Sequence, residues 1–190
     1  MNAAVDISNT VLETERLILR SWQQEDLNDF YEYASVDGVG QMAGWMPHEN
    51  IEKSQEILDM FIREKKTFAL VDKTNGKVIG SLGLECGERN APDASFKDKK
   101  GREIGYVLSK DYWGKGLMAE AVKRVIQYAF DEQGWDFLLC GYFNENYQSK
   151  RVVEKCGFTF YKDIMCETRL GMEKEGKLYL LSREEYKKSA

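Results

Sequence analysis

The sequence predicts one α/β domain in which a mixed, mostly antiparallel sheet carries helices on its faces. Two features of layout predict it: apolar runs and stripes follow one another in the order β-α-α-β-β-β-α-β-α-β-β, and no repeat, low-complexity tract or proline-rich hinge divides the 190 residues. Composition is the third. With 43% hydrophobic and 12% aromatic residues, a chain of this size buries roughly 70% of its unfolded surface without help from disulfides or metals. Residues 1–10 are expected to form a polar tail and residues 11–190 the domain.

Leu12 to Arg20 reads as the first strand, because Leu17, Ile18 and Leu19 form a β-favouring run. Trp22 leads into a helix: Gln24-Glu25-Asp26 puts carboxylates in its first turn, and Leu27, Phe30, Tyr31 and Ala34 recur at three-to-four spacing. Val36 to Pro47 is Gly-rich and irregular. A second helix is expected around Ile51 to Lys65, with Ile57, Leu58, Phe61 and Ile62 as its apolar stripe. Phe68 to Val71 and Val78 to Leu84 are β-favouring runs joined by Asp72 to Lys77, whose Asn75-Gly76 supplies the positive-φ residues of a tight hairpin. Cys86 to Lys100, polar and broken by Pro92, reads as a surface loop, and Arg102 to Leu108 as the next strand.

A helix starting near Gly116 carries Leu117, Ala121, Val125 and Ala129 along one side, and Met118, Val122, Ile126 and Phe130 widen the stripe. Phe137 to Phe143 is a near-continuous apolar run, the pattern of a strand buried on both faces. Ser149 to Cys156 reads as a short helix stopped by Gly157, and Phe158 to Leu170 with Gly176 to Leu181 as a closing pair of strands.

The chain carries 27 Lys and Arg against 32 Asp and Glu, a net charge of −5. That disfavours a general nucleic-acid partner and suits an amine-bearing substrate. The basic run Lys97, Lys99, Lys100 and Arg102 is more simply a solvated loop. Cys86, Cys140, Cys156 and Cys166 are widely spaced, and His48 is the single histidine. No metal site is expected from such a set. The first residues lack the basic start and apolar stretch of a signal peptide, and no segment approaches the ~20 apolar residues that cross a bilayer. The expectation is a cytoplasmic protein with reduced thiols, without a membrane partner, as monomer or homodimer.

Chemistry concentrates at Tyr112-Trp113-Gly114-Lys115-Gly116-Leu117-Met118-Ala119-Glu120-Ala121. A strand, a glycine-punctuated turn and a helix start make an anion site: glycines let the backbone bend close to a ligand, and the unpaired N–H groups of the first helical turn point at it. A pyrophosphate fits. The helix-end field contributes about 0.3–2 kcal/mol per charge, so several N–H hydrogen bonds and Lys115 must add to it. A structural tight turn is the plainer explanation of such glycines. The segment has neither the P-loop spacing nor the third glycine of the dinucleotide turn.

A second patch, Asn146-Tyr147-Gln148-Ser149-Lys150-Arg151-Val152-Val153-Glu154-Lys155-Cys156-Gly157-Phe158, joins Thr14-Glu15-Arg16-Leu17-Ile18-Leu19-Arg20 and Gly44-Trp45-Met46-Pro47-His48. With the glycine turn, these four patches resemble the GNAT superfamily of acyl-CoA N-acyltransferases, and more narrowly its ribosomal-protein N-acetyltransferase (RimJ/RimL-type) branch. The resemblance runs from about Leu12 to Leu181. It implies a splayed central strand pair in the sheet and acetyl-CoA as co-substrate. The turn Trp113, Gly114, Lys115, Gly116, Leu117 and Met118 would hold the pyrophosphate, backbone around Val107, Leu108 and Ser109 would pair with the pantetheine arm, and Asn146 would contact the pantetheine or a water. Ser149 would lie near the thioester sulfur. Val153 stands where many members carry a tyrosine, so Ser149 is the substitute acid, and Asp111 replaces the usual Gln/Arg opening of the turn motif.

Amine attack on a thioester needs positioning, proton removal from the amine and protonation of the departing thiolate. Glu103, on the strand face of Gly105 and Val107, is the candidate base through a water; the plainer reading is a solvent-facing strand glutamate. Ser149 is the candidate thiolate partner; the plainer reading is a helix N-cap. Glu120 reads as a helix-surface or structural carboxylate, His48 as a loop residue near the acceptor cleft, and Trp45 and Trp113 as core or cleft walls. Val36 to Glu56 and Cys86 to Lys100 are expected to line the acceptor side. The expected acceptor is a protein N-terminal α-amine, ribosomal or other. A polyamine, aminoglycoside or amino-acid-like amine stands as the alternative, as does a CoA-binding module without turnover.

Overall fold

The computed structural model describes residues 3–86, 93–168 and 171–189. The strands are β1 (Leu12–Glu13), β2 (Leu17–Ser21), β3 (Thr67–Asp72), β4 (Val78–Glu85), β5 (Gly101–Leu108), β6 (Phe137–Phe143), β7 (Thr159–Glu167) and β8 (Glu173–Ser182). They form one sheet in the order β1-β2-β3-β4-β5-β6-β8-β7. Every pairing is antiparallel except β5 with β6. The helices are α1 (Leu27–Ala34), α2 (Ile51–Glu64), α3 (Leu117–Gln127), α4 (Tyr147–Lys155) and α5 (Arg183–Ser189).

Strand alternation divides the apolar side chains between two layers. Leu17 and Leu19 of β2, Phe68 and Leu70 of β3 and Ile104 of β5 join the buried stripe of α3 and Val153 of α4 in the larger core. Ala69 and Val71 face the other way and meet Phe30, Tyr33 and Leu58 of α1 and α2. The sheet is thereby sandwiched between α3/α4 and α1/α2. The predicted stripe of α3 is buried throughout, and its last turn widens to a π-turn over Tyr128–Glu132.

Several boundaries differ from the sequence reading. Leu12 to Arg20 is two strands, because Thr14 turns the chain: its N–H donates to the Leu17 carbonyl (3.0 Å) and its Oγ1 accepts from the Leu17 N–H (2.9 Å). The segment expected as a polar tail is packed: Ala3 and Ile7 are buried in the larger core, and Arg102 donates to the Ala3 carbonyl. The β3–β4 connection is closed by Asp72 N–H to the Lys77 carbonyl (2.9 Å), with positive φ at Gly76 alone and not at Asn75. An Asp72 side chain accepting from the Thr74 N–H and hydroxyl organises the loop instead. Residues 87–92 of the expected Cys86 to Lys100 loop, Pro92 included, and residues 169–170 lie outside the described residues.

Candidate active site: a forked sheet above a helix start

The β5–β6 ladder runs from Gly101↔Phe137 to Ile104↔Cys140 and stops there. Beyond it β5 stays with β4, pairing Gly80↔Leu108, while β6 stays with β8, pairing Phe143↔Gly176. The two central strands therefore separate after residue 104, and the expected splay is present. Along the parted stretch, Ser109 N–H donates to the Ile79 carbonyl (2.7 Å) and the Val107 carbonyl lies against Gly80, so both point at β4. By alternation the main-chain groups of Tyr106 and Leu108 face the fork. The Leu108 carbonyl accepts from the Trp113 indole N–H (2.8 Å). The edge left for an extended ligand is thus Tyr106 and the Leu108 N–H, not the Val107 to Ser109 run as a whole.

Below the fork lies a cavity of about 260 Å³. Val107, Leu108, Trp113, Gly114, Gly116, Leu117, Met118, Asn146 and Ser149 line it, all of them site residues expected from sequence. Gly114 (φ +76°) and Gly116 (φ +78°) hold the left-handed backbone that the turn requires. The first intrahelical bond of α3 is Glu120 N–H to the Gly116 carbonyl (3.1 Å). The N–H groups of Leu117, Met118 and Ala119 precede it and have no intrahelical acceptor, and all three residues line the cavity, the donor set an oligophosphate needs. Arg151 and Lys155 of α4 add two cations to the wall, which the sequence reading missed. A nucleotide-bearing pantetheine thioester fits these residues: phosphates on the N–H cradle and cations, an amide arm on the open edge of β5.

Two expected cofactor residues stand elsewhere. Ser109 is turned to β4. Lys115 lies with its Nζ 4.8 Å from the Tyr112 ring centre, and neither residue lines this cavity. Instead the Lys115 carbonyl accepts from Arg16 Nη1 (3.0 Å), while Arg16 N–H and Nε donate to the two oxygens of Glu120 (2.9 and 2.7 Å). Arg16 thus straps the glycine turn and the first turn of α3 to β2. Burial raises the Glu120 pKa, but hydrogen bonding by Thr14 and Arg16 outweighs it and the net shift is downward. A depressed carboxyl stabilises the fold above its unfolded value near 4.5 and loses that contribution as pH falls through the folded value. Glu120→Gln is expected to lower stability at pH 7 by about 1 kcal/mol, the partly exposed pair being screened, and to flatten the acid limb of stability. It also weakens CoA binding several-fold. Thermal melts across pH and a CoA titration check both; unchanged CoA affinity would remove the strap.

Asn146 is the N-cap of α4: its Oδ1 accepts from Ser149 N–H (3.0 Å) and its Nδ2 donates to the Met42 carbonyl (3.2 Å). Both ends of the amide are engaged, so Asn146 shapes the wall of the cavity and ties it to the segment before α2. This also overturns the N-cap reading of Ser149, because α4 starts two residues earlier than the spacing suggested. Ser149, only 7% exposed, holds its Oγ 2.8 Å from the Tyr106 hydroxyl. Val153 is sealed in the larger core. Tyr106 went unnoticed in the sequence, although a phenol between Ile104 and Leu108 on the alternation facing α3 and α4 was the available signal.

A second cavity, about 650 Å³, opens on the other face, among Phe30, Tyr33, Trp45, His48, Ser81 and the N-terminal half of α2. Val107 lines both cavities. His48 is buried beside Trp45 and Phe30, with Nδ1 2.7 Å from Ser54 Oγ. The expected acceptor wall from Val36 to Glu56 is therefore present from Trp45 onward. The described part of the Cys86 to Lys100 loop is not in it: Phe96 stacks edge-on against Phe137 (4.9 Å), and Asp93 accepts from the Tyr161 hydroxyl (2.9 Å). Glu103 lines neither cavity. It is half-buried at the base of the fork on the face of Val107, with Oε1 close to Gly141; burial first, and then the Glu103 charge, raises the Cys140 and Cys166 thiols.

A forked sheet with a helix start beneath it whose first N–H groups can hold an anion, and a second cavity across the shared strand, can bring two reactants together at Val107. A model of the acetyltransferase (GNAT) domain matches residues 16–159. The chain belongs to the GNAT family and is an N-acetyltransferase. It is 27% identical over 153 residues to the uncharacterized N-acetyltransferase YoaA of Bacillus subtilis, covering 78% of this chain and 82% of that one. It is 33% identical over 138 residues to the probable N-acetyltransferase YjcK of the same organism, covering 71% and 70%. Among solved structures, a GNAT-family acetyltransferase from Bacillus anthracis superposes with a TM-score of 0.79 at 20% identity, covering 92% of this chain and 99% of that one. The ribosomal-protein-S5-alanine acetyltransferase of Vibrio fischeri superposes at 0.71 with 22% identity, covering 93% and 98%. The microcin C7 self-immunity acetyltransferase MccE, in complex with acetyl-CoA and AMP, superposes at 0.72 with 20% identity, covering 93% and 99%. Acetyl-CoA is the donor that family membership assigns.

Proposed function

We propose that this N-acetyltransferase acetylates the N-terminal α-amine of a ribosomal or other protein, as the RimJ/RimL-type branch does. The observation that carries the reading is the meeting of two cavities at Val107: a donor held under the fork presents its acyl carbon to an amine entering from the α1/α2 face. The acceptor cavity, lined by Trp45 and the start of α2, is open to solvent, so an extended chain can leave it. The Vibrio fischeri neighbour, named for an alanine of ribosomal protein S5, supports the acceptor class. Four free thiols suit a reducing, cytoplasmic setting.

Glu103 takes the amine proton through water. Gly105 stands between Glu103 and Val107 on the same face, and a Cβ there would meet nothing within 4 Å, so this face of β5 leaves room for a water between the carboxylate and the acceptor side. Ser149 faces the sulfur. Glu103→Gln is expected to lower turnover at least ten-fold and to erase the acidic limb of the kcat/KM profile; an unchanged profile removes the assignment. The acceptor class is read from an acetyl-transfer screen across N-terminal peptides, polyamines and aminoglycosides, scored by thiol release. Transfer to peptides is the expected result, and transfer confined to small amines overturns it.

A further inference from the structure

Tyr106 has no part in the steps above, yet it makes the closest polar contact to Ser149. Its hydroxyl lies 2.8 Å from Ser149 Oγ and 3.3 Å from the Ser149 carbonyl, and both residues line the donor cavity. The phenol has one proton, and both of these oxygens belong to Ser149. A phenol is the stronger donor of a phenol–alcohol pair, and two protons cannot share one O···O contact. When the phenol donates to Ser149 Oγ, the Ser149 O–H turns away from Tyr106 and is left for the cavity. The buried Cys140 thiol of β6 bears on the phenol electrostatically. Burial first of all pushes the phenol well above its ordinary range and raises the thiol too, so both keep their protons throughout the neutral range.

We propose that Tyr106 is a positioning residue for thioester cleavage, fixing the Ser149 O–H so that it points at the sulfur while the C–S bond breaks. The proposal rests on the acetyl-transfer reading. In the step, the amine nitrogen forms the new C–N bond and the electron pair of the broken C–S bond stays on sulfur. Ser149 donates a hydrogen bond to the thiolate as its charge grows. The amine proton passes through a water to Glu103, and the proton that makes the free thiol comes from solvent. Tyr106 and Ser149 retain their own protons, so no buried phenolate or alkoxide forms. Val153, sealed in the core, offers no hydroxyl; Ser149, one turn earlier on the same helix, supplies one, and Tyr106 on the opposite wall of the fork holds it.

The test is a double-mutant cycle on the full chain: Tyr106→Phe, Ser149→Ala and both together, with kcat, KM for acetyl-CoA, CoA affinity by calorimetry and melting temperature measured for each. Each single change is expected to lower kcat about ten-fold, to leave CoA affinity within about two-fold, and the double variant to be no slower than the slower single, because the two groups act as one unit. Ser149→Thr, which keeps a hydroxyl, is expected to restore most of the turnover lost in Ser149→Ala. Losses that multiply, a loss confined to CoA affinity, or a Tyr106→Phe enzyme with full turnover each overturn the proposal while leaving acetyl transfer standing. A wild-type chain that binds CoA but acetylates no amine removes the acetyl-transfer reading and this proposal with it.

Discussion

Gly116→Val is expected to raise the dissociation constant for coenzyme A at least 100-fold. Residue 116 caps α3 at φ +78°, in the left-handed region, where a β-branched residue is an outlier costing on the order of 1–3 kcal/mol. Space is not the obstacle: a Cβ at Gly116 would find Arg16 Nη2 at 3.8 Å, an ordinary contact. The backbone has to leave the left-handed region, and with it the N–H groups of Leu117, Met118 and Ala119 lose their common aim. A hydrogen bond to a charged group contributes about 1.5–3 kcal/mol. Two lost from a phosphate correspond to roughly two to four decades of affinity. Gly171→Ala is the control, since Gly171 holds φ +70° with nothing within 4 Å of its would-be Cβ and lies in the β7–β8 turn, outside the donor cavity. It should lower the melting temperature and leave CoA affinity alone. Calorimetry showing equal affinity for Gly116→Val and the native chain would sever the glycine turn from the donor.

What was legible in the sequence was what is local. The stripe of α3 and the apolar run of β6 are set by residues within a few positions of one another, and periodicity alone placed both. The glycine turn was legible because its φ values leave little choice of residue. Contacts across the chain were not. Arg16 and Glu120 are 104 positions apart, and their union gives the Thr14 to Arg20 patch a physical reason that likeness to a family could not supply. Ser149 lines the cavity, and the cap role set against its catalytic role falls to another residue. Asn146 is the better cap and starts α4 earlier, which moves Ser149 to the third helical position and turns its hydroxyl toward β5. Its partner Tyr106 lies on the opposite face of β5 from Glu103, and the contact that makes it matter spans 43 positions of the chain.

Asp26→Ala is expected to destabilise the protein by about 3 kcal/mol, the low end of what breaking a buried pair costs. The two Asp26 oxygens accept from Nη1 and Nη2 of Arg20, both at 2.8 Å, and Oδ2 also accepts from the Gln23 N–H at 2.8 Å. Asp26 is 6% exposed, so water cannot replace it. Alanine leaves a half-buried guanidinium and an amide without an acceptor. The guanidinium keeps its bond to the Ser21 carbonyl and some solvent, which is why the loss stays at the lower end. For a chain of this length the melting temperature should drop roughly 6–12 °C. The joint change Arg20→Met with Asp26→Leu should cost less than Asp26→Ala alone, because it removes the stranded charge together with its partner. Asp26 stands immediately before α1, whose Phe30 and Tyr33 line the acceptor cavity, whereas no residue of α1 lines the donor cavity. The surviving folded fraction should therefore show a raised KM for the amine and unaltered CoA affinity. A melting temperature within 2 °C of the native value would mean that the Arg20–Asp26 pair contributes nothing net to the fold, and a shift in CoA affinity instead of amine KM would mean that α1 does not act on the acceptor side alone.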